Sequence, residues 1–368
     1  MALTSYWWYI IWMFTGGLMI YSVELAKRKS SVENKNNSWR WISAILLVFP
    51  YILWAAFRRG MGDSEVYRRT FLLVPSSLSK FSEYICTITK DRGYYALLVV
   101  IKSIIGNKDI LYFLIFAVIQ MSCLVVLFRR YSSDYWMSIY IFVASTEYIS
   151  WMQNGMRQFT AVILVYASTP LILKKKYLKA GIIILLASTI HGSALLMLPV
   201  MFLLQGEAFN KKTIWCIAGS IVILIFINQF TNMLDVMLSD TQYTNVVSDW
   251  KSIEDDGMNP IRVLVYAVPM ILAWIGLKRI RKENNSVINL AANASILATA
   301  LGIIAMGTSG IFIGRLPIYV SLYSSEILLP WEMENLFTKN SVKIVKILAI
   351  VFYFAFFFYQ MRVTWGAL

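Results

Sequence analysis

The chain of 368 residues holds only three cysteines, one histidine and 20 acidic residues. Cys86, Cys123 and Cys216 lie far apart, with no CxxC and no Cys/His spacing, and so point to neither a metal site nor a disulfide framework. There is no Walker A sequence and no GxGxxG, so nothing marks a nucleotide as an energy source. No internal repeat of 20 to 50 residues and no low-complexity tract interrupts the chain. What is abundant is apolar and basic. Lys and Arg number 34, the formal charge is +14, and 58% of residues are hydrophobic, against roughly 45 to 50% in soluble domains.

In a soluble protein that charge would suggest nucleic acid. Here long apolar runs recur from residue 5 to residue 360, and mean hydropathy is +0.62. No separate soluble domain fits between them. The composition predicts an all-α polytopic membrane protein, one membrane domain over residues 1–368, with no nucleic-acid partner. The first run, from near Tyr6, lacks a preceding positive region and a small-residue cleavage site, and reads as a retained helix.

Most basic residues fall in short loops between apolar runs, the positive-inside pattern. Residues 26–40, Arg129 with Arg130, 174–179, Lys211 with Lys212, 278–285 and the stretch before Lys343 are therefore assigned to the cytoplasm. Spans fall near 5–25, 41–57, 109–128, 134–149, 156–173, 178–191, 193–205, 213–230, 260–278, 287–307, 311–328 and 342–361. The run Leu178–Leu204 has basic clusters at both ends, so it must cross twice, with His191 and Gly192 at an outer break; one long tilted helix is the alternative. About twelve spans result, with both termini outside.

The external segment 58–108 carries nine Lys and Arg, which the charge rule does not predict. Within it, residues 71–106 mix polar and apolar positions and are expected to form interfacial or re-entrant helices. The external loop 231–259 is polar, acidic and aromatic-containing, and suits either a lid or an ordinary connector.

Charge at the membrane is costly and tends to serve a use. In "RRGMGDSEVYRR", Arg58 and Arg59 precede two glycines, and Asp63 and Tyr67 have the i, i+4 spacing of one helix face. The same residues suit headgroup anchors and an N-cap. In "EYISWMQNGMRQ", Glu147, Asn154 and Gln158 fall on one helical stripe beside Arg157, unless Asn154 and Gly155 form a turn. His191, in "ASTIHGSALL", stands at the expected outer break, either as a packing residue or as a base. In "GTSGIFIGRLPIYV", Arg315 lies between glycines and Pro317, where it either snorkels or binds a ligand. Guanidinium forks match phosphate oxygens in pairs. The simplest common ligand for Arg58, Arg59, Arg157 and Arg315 is a phosphate or diphosphate at the outer bilayer surface.

The motifs "FRRGMGDSEVYRR", "NGMRQFTA" and "LLASTIHGSALLMLPV", in that order over residues 57–200, resemble the EpsG family of bacterial polysaccharide-synthesis proteins, which are Wzy-type polymerases. Arg58, Asp63 and Tyr67 match its first motif, Asn154, Arg157 and Gln158 its second, and His191 its third. The resemblance implies a fold like the C-type glycosyltransferases and a site facing outward from the bacterial cytoplasmic membrane. It implies transfer of a growing glycan from undecaprenyl diphosphate to the non-reducing end of a lipid-linked repeat unit, without cofactor or metal. Its implied partners are that lipid-linked oligosaccharide, membrane lipid, and a chain-length regulator and flippase of the same pathway. In this expectation Arg58, Arg59, Arg157 and Arg315 bind the diphosphate, and His191 or Asp63 takes the acceptor proton. Tyr67, Glu147, Asn154 and Gln158 hold substrate or support the site. Two rivals remain: a flippase for lipid-linked oligosaccharide, and a membrane-bound O-acyltransferase using His191 and Asn154.

Overall fold

The computed structural model describes residues 4–30, 38–58, 60, 62–237 and 257–366. Arg59 and positions 238–256 of the acidic loop lie outside the described residues. Every regular element among the described residues is helical. Five helices are long and apolar enough to cross a membrane: Tyr6–Lys27, Asp109–Tyr131, Met156–Leu173, Ser286–Met306 and Lys339–Val363. Two bent pairs raise the number to seven, Lys211–Ile225 with Ile227–Met233 at 96° and Pro260–Ile275 with Leu277–Glu283 at 71°. Trp41–Ala56, Tyr135–Ala144, Tyr177–Ile190 and Gly192–Leu203 are apolar but shorter. The set is that of a polytopic membrane protein. Several of the twelve apolar runs bend or break in the structure, so a count of runs is not a count of straight crossings. The late run expected at 311–328 is interrupted, a 3₁₀ turn at Ile313–Arg315 preceding the α-helix that starts at Ile318 with Pro317 at its N-cap.

The described residues divide into two compact units. The first unit comprises residues 1–171, 178–195 and 339–368. Its helices are α1 (Tyr6–Lys27), α2 (Trp41–Ala56), α3 (Ser64–Leu73), α4 (Phe81–Thr87), α5 (Arg92–Ile105), α6 (Asp109–Tyr131), α7 (Tyr135–Ala144), α8 (Met156–Ala167) and α9 (Tyr177–Ile190), followed by the C-terminal Lys339–Val363. Residues 58–108 thus include the short helices α3, α4 and α5, the last two within the stretch 71–106 where interfacial or re-entrant helices were expected.

On α6, Tyr112, Phe116, Gln120, Leu124 and Phe128 recur every four residues and are all buried, which sets α6 between α2 and α8. Lipid is as apolar as these side chains, so close packing and hydrogen bonds hold the helices together. Gln120 Nε2 donates to the Met156 carbonyl at 3.0 Å and to Thr160 Oγ1 at 2.9 Å, tying α6 to α8. Tyrosine hydroxyls repeat the device. Tyr51 donates to the Tyr9 carbonyl and Tyr148 to the Tyr51 carbonyl, each at 2.6 Å. Asp134 caps α7 through the Met137 N–H and pairs with Lys346 at 2.8 Å, anchoring the C-terminal helix.

Gly93 of α5 abuts α9 so closely that a Cβ there would lie 2.1 Å from Thr189 Oγ1 and 2.9 Å from the Thr189 backbone carbon. Gly93→Ala is expected to destabilise the first unit by about 1–3 kcal/mol, the usual cost of overpacking. A lowered Tm of the detergent-solubilised protein would register it; an unchanged Tm would mean α5 and α9 separate freely.

The second unit comprises residues 172–177 and 196–338. Its centre is Ser286–Met306, buried along most of its length against Lys211–Ile225, Pro260–Ile275 and the π-helix Leu322–Leu328. Asn289 and Asn293 accept from the backbone N–H groups of Ala208 and Phe209 at 3.2 and 2.9 Å.

Candidate functional site

The first motif follows the C-terminus of α2. Arg58 is buried, with its guanidinium 4.1 Å from the Phe113 ring centroid. It donates to the Met152 carbonyl and lies 2.8 Å from Met156 Sδ, while its Nε is buried without a hydrogen-bond partner. Arg58 therefore draws the first motif onto the second rather than facing solvent. Gly60 and Gly62 carry φ of +64° and +48°, a left-handed backbone that favours glycine. The turn closes on Asn154, whose Oδ1 accepts the Asp63 N–H at 2.8 Å. Ser64 Oγ donates to the Gln153 carbonyl at 3.3 Å. The Tyr67 N–H donates to the Asp63 carbonyl at 3.0 Å, which bears out the helical i, i+4 relation of these two residues. The Tyr67 hydroxyl in turn accepts the Arg157 backbone N–H at 3.4 Å.

The second motif departs from the expected single stripe. Residues Tyr148–Asn154 form a π-helix, Gly155 leaves helical geometry, and α8 restarts at Met156. Bonds of the i→i+5 type change the rotation per residue, so Glu147, Asn154 and Gln158 do not share one regular α-helical face. Glu147 is buried and accepts from the Trp151 indole N–H. Gln158 is buried in α8.

Arg157 sits in the first turn of α8, where its side chain keeps 26% exposure. Its Nη1 lies 3.2 Å from Asp91 Oδ2, its guanidinium carbon is 5.9 Å from the Tyr94 ring centroid, and its Nε is buried with no hydrogen-bond partner. Asp91 stands at the head of α5 with φ of 53° and a side chain only 2% exposed. Its Oδ1 accepts the Gly192 N–H at 3.3 Å. Burial pushes the Asp91 carboxyl above the ordinary carboxylate range, and Arg157 opposes that shift.

The third motif breaks where expected, α9 ending at Ile190 and a 3₁₀ turn taking over at Gly192. His191 is half-buried at the break, and its Nδ1 is 2.7 Å from Ser193 Oγ. Arg315, the fourth candidate, belongs to the second unit, half-buried in the turn Ile313–Arg315.

The structure thus joins the three motifs. Asn154 receives the first motif, and Asp91 connects Arg157 of the second to the Gly192 backbone of the third. Asp91 is the residue that sequence reasoning passed over. Its one signal was local: an acid between Lys90 and Arg92, ahead of a glycine that packs tightly.

These features define a polytopic helical membrane protein with a partly exposed guanidinium held beside a histidine-bearing helix break. The model of the EpsG family matches residues 41–365, a stretch that includes every described candidate residue, and the chain belongs to that family of Wzy-like polysaccharide polymerases. No curated protein and no solved structure matches the chain.

Proposed function

We propose that the protein is a polysaccharide polymerase that moves a growing glycan from undecaprenyl diphosphate onto the non-reducing end of a lipid-linked repeat unit. The reaction takes place at the outer face of the bacterial cytoplasmic membrane and needs no metal. The acceptor hydroxyl oxygen forms a bond to the anomeric carbon, the bond from that carbon to the diphosphate oxygen breaks, and the electron pair leaves with the diphosphate. Charge grows on the departing oxygen, and fixed guanidinium donors stabilise that growth most where water is excluded. Arg157 faces the leaving diphosphate, with Arg59 as a further donor. Arg58 holds the motifs together behind it. The acceptor proton passes to His191, whose ring is held by Ser193, with Asp63 as the other candidate base. Tyr67, Asn154, Glu147 and Gln158 shape and support the site.

The observation that carries this reading is the Arg157 guanidinium, ion-paired through Nη1 with Asp91, its Nε buried without a hydrogen-bond partner, and the side chain 26% exposed. The test is reconstitution of the purified protein in liposomes with a defined undecaprenyl-diphosphate repeat unit. A ladder of chain lengths is expected, and it should persist after chelation of divalent cations. Single repeat units that are flipped but never joined would favour the transporter instead. Acyl transfer to the glycan would favour the O-acyltransferase.

A further inference from the structure

We infer that Asp91 is the positioning residue of this site: its two carboxylate oxygens fix the Arg157 guanidinium and the His191–Gly192 break to each other. The inference rests on the polymerase reading for its catalytic meaning, but its geometry stands alone. Oδ2 lies 3.2 Å from Arg157 Nη1 in an ion pair without hydrogen-bond geometry, and Oδ1 accepts the Gly192 N–H at 3.3 Å. One carboxylate group therefore touches Arg157 of the second motif and Gly192 of the third, more than thirty residues apart in sequence. Asp91 itself is held from both sides. The Asp91 carbonyl accepts from the N–H groups of Tyr94 and Tyr95 at 2.9 and 3.3 Å, which opens α5, and Gly93 two residues on packs onto Thr189 of α9.

The Asp91 carboxylate is buried, and its charge is paired with that of Arg157. Its effect is on Arg157. An arginine side chain has several rotatable bonds, and a guanidinium paired with a fixed carboxylate loses part of that freedom before substrate arrives, so its remaining donors meet the developing charge with less reorganisation. The left-handed backbone at Asp91 also selects the side chain. Asp and Asn tolerate φ near +53°, whereas longer side chains do so far less readily.

Asp91→Asn separates the two roles of the carboxylate. The amide oxygen still accepts from Gly192 and the backbone conformation is retained, but the charge that holds Arg157 is gone. Turnover in liposomes is expected to fall at least tenfold. Binding of a short-chain polyprenyl diphosphate to the detergent-purified variant should be unchanged or tighter, because a negative charge beside the anion has been removed. A residue with only a structural role would instead lose binding and turnover together, with a fall in Tm. A second measurement is independent of any activity. Modification of Arg157 by phenylglyoxal, followed by mass spectrometry of the peptide, is expected to be several-fold faster in Asp91→Asn than in the wild type. Equal modification rates, or turnover within twofold of wild type in a protein that polymerises, would overturn the inference. Faster modification in a protein that makes no polymer would retain the positioning role and refute the polymerase reading.

Discussion

Arg157→Ala is expected to abolish the chain-length ladder while leaving the protein in the membrane. The loss should be at least about 10²–10³-fold in turnover, the range found when one preorganised donor to a developing oxyanion is removed. Two effects combine. The donor to the leaving diphosphate disappears, and Asp91, whose side chain is 2% exposed, loses the cation it pairs with. Arg157→Lys separates them, because an ammonium restores a charge near Asp91 without the planar fork that binds two phosphate oxygens at once. It should recover the Tm but little of the turnover. A normal ladder from Arg157→Ala would remove this residue from the mechanism and take with it the observation on which the polymerase site is built.

Gly62→Ala is expected to be the most damaging small change in the first motif. A Cβ at this position would stand 2.1 Å from Asn154 Oδ1 and 2.6 Å from Asn154 Cγ, on a backbone with φ of +48°. The far end of an asparagine side chain can ordinarily move aside. Here it cannot do so without loss, since Oδ1 is the acceptor of the Asp63 N–H at 2.8 Å. The first motif should therefore lift off the second, with at least a tenfold loss of polymer and a lowered Tm. Asn154→Ala removes the obstructing group and the hydrogen bond together. If the contact is the cause, the double variant will be little worse than Asn154→Ala alone. Additive losses would place the effect of Gly62 in its backbone conformation instead.

How far the sequence led differs by kind of information. Apolar runs located the helices α1, α2, α6 and α8 well, because length and composition alone decide whether a segment seeks lipid. The break at His191 was legible from charge parity. The family motifs named Arg157, Asn154 and His191, and the structure draws the three motifs together. Burial was not legible. Arg58 looks in sequence like Arg59 beside it, but packing against Phe113, contributed by a helix more than fifty residues later, takes it out of solvent. Asp91 was missed for a related reason: its partners lie in α8 and after α9, and no local spacing encodes contacts that distant. Of the two readings of the second motif, the turn at Asn154 and Gly155 holds and the stripe through Glu147 and Gln158 does not, because the stripe assumed 3.6 residues per turn where the backbone bonds as a π-helix, a change with no fixed residue signature.

That π-helix determines which way the second motif points. An α-helix advances by about 100° for each residue, and a π-turn takes up an additional residue without a matching advance. Everything downstream is therefore rotated in phase relative to an uninterrupted helix carrying the same sequence. Arg157 follows the π-helix Tyr148–Asn154 by three positions. Its bearing toward Asp91 is thus set jointly by the π-helical winding and by the break at Gly155, after which α8 restarts at Met156. A single-residue deletion within 148–153 would change the register in which the chain enters that break, with every candidate side chain of the site still present.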